Sequence, residues 1–464
     1  MENLPVLDFA ETMAGLPEQQ PDDGLDEAIR KALAERYDVV IVLDDDPTGT
    51  QTVYDVPVVA TVSHDAIKAE IDRGTRLFFV LTNSRALTRD RAQRLAGRLG
   101  AMIKPCCEGK RYLVIFRGDS TLRGHYPFEE AWFSIQTNRS TAPHYVIPAF
   151  FEGGRYTIND IHYVKENDKL IPAAQTPFAQ DSTFGYESSD LKDWVAEKGN
   201  KGQKRKMYGA SSIGLEVLRS HDMKELERRI GAVDTEIVII NAADYTDLKR
   251  AALAILTFSR TPIFRTSASF IKALLGQPDR PLLKLKRKDQ NGGLIVVGSH
   301  VPKTTAQLAH LQSNAQLSEY EVDVRALLFE KPALASRDLA QKISEDMREG
   351  KDVLLYTSRE VITTEGADAN LDIAAKVSAY LEETVAELTL QPSFLLTKGG
   401  ITSSRIATEA LGVKRAMALG QVQLGVPTWE LGPESKFPGM PFIIYPGNVG
   451  GVDGLSSILE NTII

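Results

Sequence analysis

Residues 39–52 read V-V-I-V-L-D-D-D-P-T-G-T-Q-T, and no other stretch constrains the fold as tightly. A short continuous apolar run closed by a turn reads as a strand buried on both faces of a parallel sheet. Asp44, Asp45 and Asp46 then stand at its carboxyl end, where open α/β sheets bind their ligands. Three adjacent carboxylates repel one another and cost stability unless a cation or a polar substrate meets them. A solvated acidic turn is the plain reading. The Pro-Thr-Gly-Thr that follows at once favours a site.

The same grammar recurs along the chain. Apolar runs at 56–62, 77–81, 112–116, 145–147 and 236–240 read as strands. Helical patterns lie between them, from a Ser63 cap through Ile71 and over 90–103 and 244–258. Strands alternating with helices predict a mostly parallel sheet with crossover helices. Residues up to about 21 show no period and read as a tail, and Leu25, Ile29 and Leu33 mark a short helix after it. The pattern weakens over 157–212, where Pro172, Pro177, Gly185 and the basic run 201–206 read as an inserted, loop-rich region with a solvated charged surface. Residues 276–293 hold Pro278, Pro281, K-L-K-R-K and a Gly pair, and read as a linker. A second unit follows, with strands at 294–297, 352–356, 394–396 and 442–445. Its helices are expected at 303–313 and along Ile373, Val377, Leu381 and Val385.

A chain of 464 residues is too long for one core. The expected class is α/β: two domains, each a mostly parallel sheet with flanking helices, with the active site in the cleft between them. The expected division is a tail and helix over 1–37, a first domain over 38–275, a linker over 276–293 and a second domain over 294–464. A net charge of -8 argues against a nucleic-acid partner, which would meet a basic face. No run approaches a membrane span, and the N-terminus shows no signal peptide. Cys106 and Cys107 are adjacent and make no disulfide framework. A soluble cytoplasmic protein is expected.

The strand ends differ in chemistry between the halves. The first half collects the acids Asp44, Asp45, Asp46 and Asp119, and the anion-binding groups Ser84, Arg85, Arg117, Ser120, Thr121 and Arg123. Arginine forks hold carboxylates, and aspartates bind or deprotonate hydroxyls, so the set suits a small hydroxylated acid. Mutual Arg–Asp pairing that braces loops is the bland alternative. The second half offers Gly298-Ser299, Gly399-Gly400-Ile401-Thr402-Ser403 and Gly447-Asn448-Val449-Gly450-Gly451, where the backbone can approach a phosphate. There is no G-x-x-x-x-G-K-[ST], G-x-G-x-x-G, H-E-x-x-H or G-x-S-x-G. His125 is a lone histidine with a structural or a substrate role.

One domain for an acid and one for a nucleotide makes a kinase, in which Asp45 or Asp46 takes the hydroxyl proton while another Asp touches Mg²⁺. Two rivals remain. D-D-D-P-T parsed as D-x-D-x-T resembles the first motif of haloacid-dehalogenase-type phosphatases, with Asp44 and Asp46 as nucleophile and acid/base. The strand ending in Thr82-Asn83-Ser84 would then supply the second motif. A non-catalytic two-domain sensor of small hydroxy acids is the other.

As an ordered set, D-D-D-P-T-G-T-Q-T at 44–52, T-N-S-R at 82–85, R-G-D-S-T-L-R-G at 117–124, G-S at 298–299, K-G-G-I-T-S at 398–403 and P-G-N-V-G at 446–450 resembles the four-carbon acid sugar kinase family. The resemblance implies an ATP-dependent kinase for acids such as threonate, erythronate or 3-oxo-tetronate. It implies substrate contacts at Asp45, Asp46, Arg85, Arg117, Gly118, Asp119 and Ser120, with Asp45, Asp46 and Asp119 as catalytic candidates. It implies nucleotide contacts at Ser299, Gly399, Gly400, Thr402, Gly447 and Asn448, with ATP and Mg²⁺ as cofactors and no assigned metal ligand. Many members read A-D-D-F-T-G in the first motif, where Asp44 and Pro47 stand here, and Lys at the position of Arg117. The segment 150–184 is longer than in compact members. Dimers are common among such enzymes, so a homodimer is the starting assumption.

Overall fold

The computed structural model describes residues 4–200, 209–220, 222–232, 237–258, 260–287, 289–298, 301–330, 332–359, 367–447 and 449–461. The chain forms two compact units, one of Met1–Thr52 with Val62–Asp279 and one of Val53–Thr61 with Arg280–Ile464. The strand Val56–Val59, which follows the first in sequence, therefore pairs within the second unit, antiparallel to Arg415–Gln423.

The first unit's sheet is parallel throughout. Its order is Ala210–Ile213, Ile237–Ile240, His144–Ile147, Ile263–Thr266, Tyr112–Arg117, Val39–Asp44 and Leu77–Leu81. Val39 to Leu43 are at most 2% exposed, as a continuous apolar run covered on both faces requires. Asp44 pairs in register with Leu81 on one side and Arg117 on the other, and Arg117 with Thr266, so the strand ends share one edge. From Val39–Asp44 the chain goes first to Leu77–Leu81 on one side, then to Tyr112–Arg117 on the other. That reversal opens a crevice between the carboxyl ends of Val39–Asp44 and Tyr112–Arg117.

Residues 4–14 are not a tail. Leu7–Asp8 pairs with Lys169–Pro172 in a four-stranded antiparallel sheet with Ile161–Glu166 and Arg155–Ile158. Asp8 caps the short helix Phe9–Ala14 by accepting from the Glu11 amide. This sheet occupies the region that the sequence pattern assigns to loops. Asn159 and Asp160 both take positive φ, 51° and 66°, as a tight hairpin between Ile158 and Ile161 demands. The basic run at 201–206 lies outside the described residues.

The second unit is mixed. Val56–Val59, Arg415–Gln423, Val426–Leu431 and Pro441–Tyr445 run antiparallel; Pro441–Tyr445, Leu395–Lys398, Leu294–Val297, Val353–Thr357 and Ser318–Val322 run parallel. Its order also reverses, here about Leu294–Val297, which places Gly298 beside the end of Leu395–Lys398. Among the described residues no helix is long and apolar enough to cross a membrane.

Candidate active site

At the first unit's crevice the three consecutive aspartates have three different environments. Asp44 is 2% exposed and lies under the turn: a Cβ on Gly49 would sit 1.9 Å from its Oδ2. Only glycine lets the chain close over it. Burial pushes its pKa up to about 8, against the pull of Arg117, whose Nη1 is 3.3 Å from Oδ1. Asp44 thus lies beneath the loop with its charged form disfavoured. A phosphatase nucleophile is ionised and open to substrate, which this setting does not favour. Thr82 binds the Asp44 carbonyl through both its amide and its hydroxyl at 2.8 Å, which braces the two strand ends.

Asp46 caps the turn Pro47–Thr50 by accepting from the Thr48 amide at 2.9 Å, and is salt-bridged to Arg85. Burial opposes its charge, but the Arg85 and Arg117 guanidiniums outweigh burial and hold its carboxyl below the usual range. Asp119 is held in the same way. It takes Arg85 at 3.2 Å, Arg123 at 2.8 Å and the Thr121 hydroxyl, and against burial the two arginines depress its pKa.

Asp45 differs. It is 4% exposed, and neither carboxylate oxygen has a hydrogen bond. Arg117 Nη1 and Arg265 Nη2 stand off at 3.6 and 3.9 Å. Asp45 thus keeps its lone pairs while two guanidiniums support its charge.

Arg117 is buried and donates to Gln51 Oε1 at 3.0 Å as well as facing Asp44, so it serves the acid cluster. Gly118, expected as a substrate contact, also makes room for a side chain of the protein. A Cβ there would lie 2.1 Å from Arg265 Cζ, and one on Gly124 2.8 Å from Arg265 Nη2. The two glycines of R-G-D-S-T-L-R-G make the slot in which the Arg265 guanidinium lies. Leu122, between them, takes φ 67°, a left-handed conformation that is uncommon outside glycine. The small antiparallel sheet and its flanking loops support this loop: His162 Nε2 meets the Ser120 carbonyl at 2.8 Å, Tyr186 donates to the Thr121 carbonyl at 2.9 Å, and Asp181 stands 3.6 Å from Arg123. Ser120 is buried, and His125, kept neutral by burial, contacts the Ser84 and Leu87 carbonyls. Arg265 was not singled out from the sequence. An arginine closing the apolar run 263–264 was the available signal.

In the second unit Gly298, Gly399, Gly400, Thr402 and Gly447 gather at one edge. The Gly399 amide donates to the Tyr445 carbonyl at 2.9 Å, and a Cβ on Gly298 would touch Thr402 Oγ1 at 3.0 Å. Gly399 has φ 113° and opens the helix Gly400–Arg405. Space around Gly447 is open, whereas Gly450 and Gly454 leave room for the Tyr445 hydroxyl, 2.0 and 2.1 Å from where their Cβ atoms would be. Gln307 ties this loop to the helix Pro302–Asn314 by donating to the Gly451 carbonyl at 2.8 Å. Lys398 is fully buried and donates to the Pro446 carbonyl at 2.6 Å; burial lowers its pKa to about 7. Ser299 and Asn448 lie outside the described residues.

Comparisons with known proteins follow the same division. A sugar-binding N-terminal domain model matches residues 40–274, and a nucleotide-binding C-terminal domain model matches residues 294–455. Among solved structures, protein HI1011 of Haemophilus influenzae is 14% identical with a TM-score of 0.61, covering 91% of this chain and 100% of its own. A Salmonella typhimurium LT2 protein provisionally named a tRNA synthase is also 14% identical, with a TM-score of 0.65 and coverage of 91% and 98%. At that identity both share the fold alone. A search of curated proteins finds no match. With a sugar-binding domain followed by a nucleotide-binding domain, the chain belongs to the four-carbon acid sugar kinase family.

Proposed function

We propose that this protein transfers the γ-phosphoryl group of ATP, taken as its Mg²⁺ complex, to a hydroxyl of a four-carbon sugar acid of the threonate, erythronate or 3-oxo-tetronate type. Asp45 carries the reading. It is a buried carboxylate without a hydrogen bond at the crevice of the sugar-binding unit, and its acidic neighbours are tied down or neutral. A general base must be ionised and must keep an oxygen for the proton it takes. Asp45 removes the acceptor hydroxyl's proton as that oxygen bonds to the γ-phosphorus, the bond to the β-phosphate oxygen breaks, and ADP leaves. Asp46, Arg85 and Asp119 form a short ion-pair chain beside it, suited to sugar hydroxyls and to the acid's carboxylate. Gly447, with open space around it, and the adjoining Gly399-Gly400 turn and Thr402 are the candidate contacts for the nucleotide phosphates, in keeping with the nucleotide-binding domain family. Among the described residues no cluster of three or more His, Cys, Asp or Glu forms a metal cage. Mg²⁺ that arrives on the ATP phosphates needs no such cage.

The test is ADP release by the purified protein with a panel of C4 and C5 sugar acids. Turnover with a C4 acid is expected, and Asp45→Asn should lower kcat by roughly 10²–10⁴-fold with little change in KM. No turnover with any acid, together with no ATP binding, refutes the reading.

A further inference from the structure

A small cavity lies beside Asp45, lined on its polar side by Asp45, Thr82, Ser84, Arg117, Glu129 and Arg265. It has room for about one water molecule. Glu129 and the adjacent Glu130 begin the helix Phe128–Thr137 and are 5% and 0% exposed. Neither oxygen of Glu130 has a hydrogen bond, and Arg265 Nη1 stands 3.7 Å from Glu130 Oε1 while its Nη2 faces Asp45. Two consecutive buried glutamates behind a candidate base have no part in the phosphoryl transfer described above.

Charge counting constrains them. Asp46 and Asp119 pair with Arg85 and Arg123, so Arg85, which also acts on Asp45, is already balanced, and burial disfavours the charged form of Asp44. This leaves three acids, Asp45, Glu129 and Glu130, facing two cations, Arg117 and Arg265. Three carboxylates cannot all stay ionised in so dry a site with two counter-charges. We propose that Glu129 and Glu130 hold one proton between them, so that Arg117 and Arg265 stay turned to Asp45, the group that accepts the substrate's proton. The pair are positioning residues acting through Arg265. This rests on the reading of Asp45 as the base.

The surroundings agree. The helix Arg89–Cys106 presents Ala96 and Leu99 to the cavity, and His125, neutral and engaged with backbone carbonyls, brings no further charge. Burial first, then Glu130, pushes the Glu129 pKa up to about 8 in spite of Arg265, and burial raises that of Glu130. Loss of the shared proton in alkali would add a second negative charge behind Asp45. That charge would compete for Arg265 and repel an anionic substrate.

Two measurements separate this inference from the reading it rests on. The first needs no turnover: the infrared carbonyl stretch of a protonated buried carboxyl, recorded in an Asp44→Asn background to remove that acid's signal. The band is expected at pH 7, fading above pH 8, and lost in both Glu129→Gln and Glu130→Gln. A band that survives both substitutions, or none at pH 7 before them, overturns the shared proton whether or not the protein is a kinase. The second is the pH profile of kcat. In the same Asp44→Asn background, which removes an acid that ionises over this range, it should fall about tenfold between pH 7 and 9, as one ionisation does, and with Glu129→Gln added less than about twofold. The same alkaline fall in both proteins overturns the role assigned to the pair. Absence of sugar-acid turnover in the unsubstituted enzyme, with the band behaving as expected, leaves the shared proton standing and refutes the kinase reading.

Discussion

Gly118→Ala tests how the loop 117–124 is built. A glycine in R-G-D-S-T-L-R-G could serve the ligand, by letting the substrate approach the backbone, or the protein. Here a Cβ at 118 would fall 2.1 Å from Arg265 Cζ, 2.2 Å from Nη2 and 2.5 Å from Nη1, well inside van der Waals contact. The guanidinium cannot simply swing aside. It is 6% exposed, its Nη2 donates to the Arg123 carbonyl at 3.2 Å, and Asp45 and Glu130 face it. Overpacking costs about 1–3 kcal/mol, and displacing a buried cation from its acids approaches about 3–5 kcal/mol. A loss of roughly 2–4 kcal/mol is expected, which in a unit of this size lowers Tm by about 4–16 °C. Because Asp45 loses support in the same step, kcat should fall as well. Thermal unfolding and sugar-acid kinetics are the assays, with Arg265→Met as the partner for a double-mutant cycle. The cost of the alanine should shrink sharply once the guanidinium is gone, since residues in contact are not additive. An unchanged Tm with a higher KM alone would show that Gly118 serves the substrate, and equal costs in both backgrounds would refute the slot.

Two further outcomes follow. Asp44 has a folded pKa of about 8 against an ordinary 3.8, so the native state binds the extra proton and stability falls as pH rises between those values. Asp44→Asn cannot ionise, so its Tm relative to the unsubstituted protein should climb from pH 6 to 8 and then level, with kcat within about threefold; a phosphatase using Asp44 as nucleophile would instead lose all activity. Lys398→Met removes the buried amine that holds the Pro446 carbonyl at 2.6 Å. It should weaken ATP binding about tenfold by calorimetry, the worth of roughly one hydrogen bond, and leave the sugar-acid Kd unchanged; an unchanged ATP Kd would make the lysine a core residue only.

The strands and their order of chemistry were legible because the signals are local. A buried parallel strand is a short apolar run, and the residue after it is at the edge, so Asp45, Arg85 and Gly399 could be placed without a partner in view. Where the local signal inverts, the reading fails. In Arg415–Gln423 the inward positions include Ala416, Ala418 and Gly420, while the larger Met417 and Leu419 lie on the less buried face. Alternation is present there without the hydrophobicity that would reveal it. In the segment 155–172 the strands are only four to six residues long. The Asn-Asp pairs at 159–160 and 167–168 were the usable clue, since asparagine and aspartate tolerate the positive φ of tight hairpins.

The roles within the site were less legible, for a reason that the glycines make plain. Gly49, Gly118, Gly124 and Gly450 all sit in motifs that suggest a ligand, yet in each case a missing Cβ leaves room for a side chain of the protein: Asp44, Arg265 or Tyr445. A sequence records that space was kept, not which atom fills it. The same holds for the acids. Three adjacent aspartates are chemically alike until Gly49 closes over one, Arg85 takes another, and the third is left without a hydrogen bond. Partner choice across distant strands sets which carboxylate can act as a base. A motif therefore marks where chemistry can occur, and residues outside it, Arg265 and the Glu129–Glu130 pair above all, set the surroundings of its members.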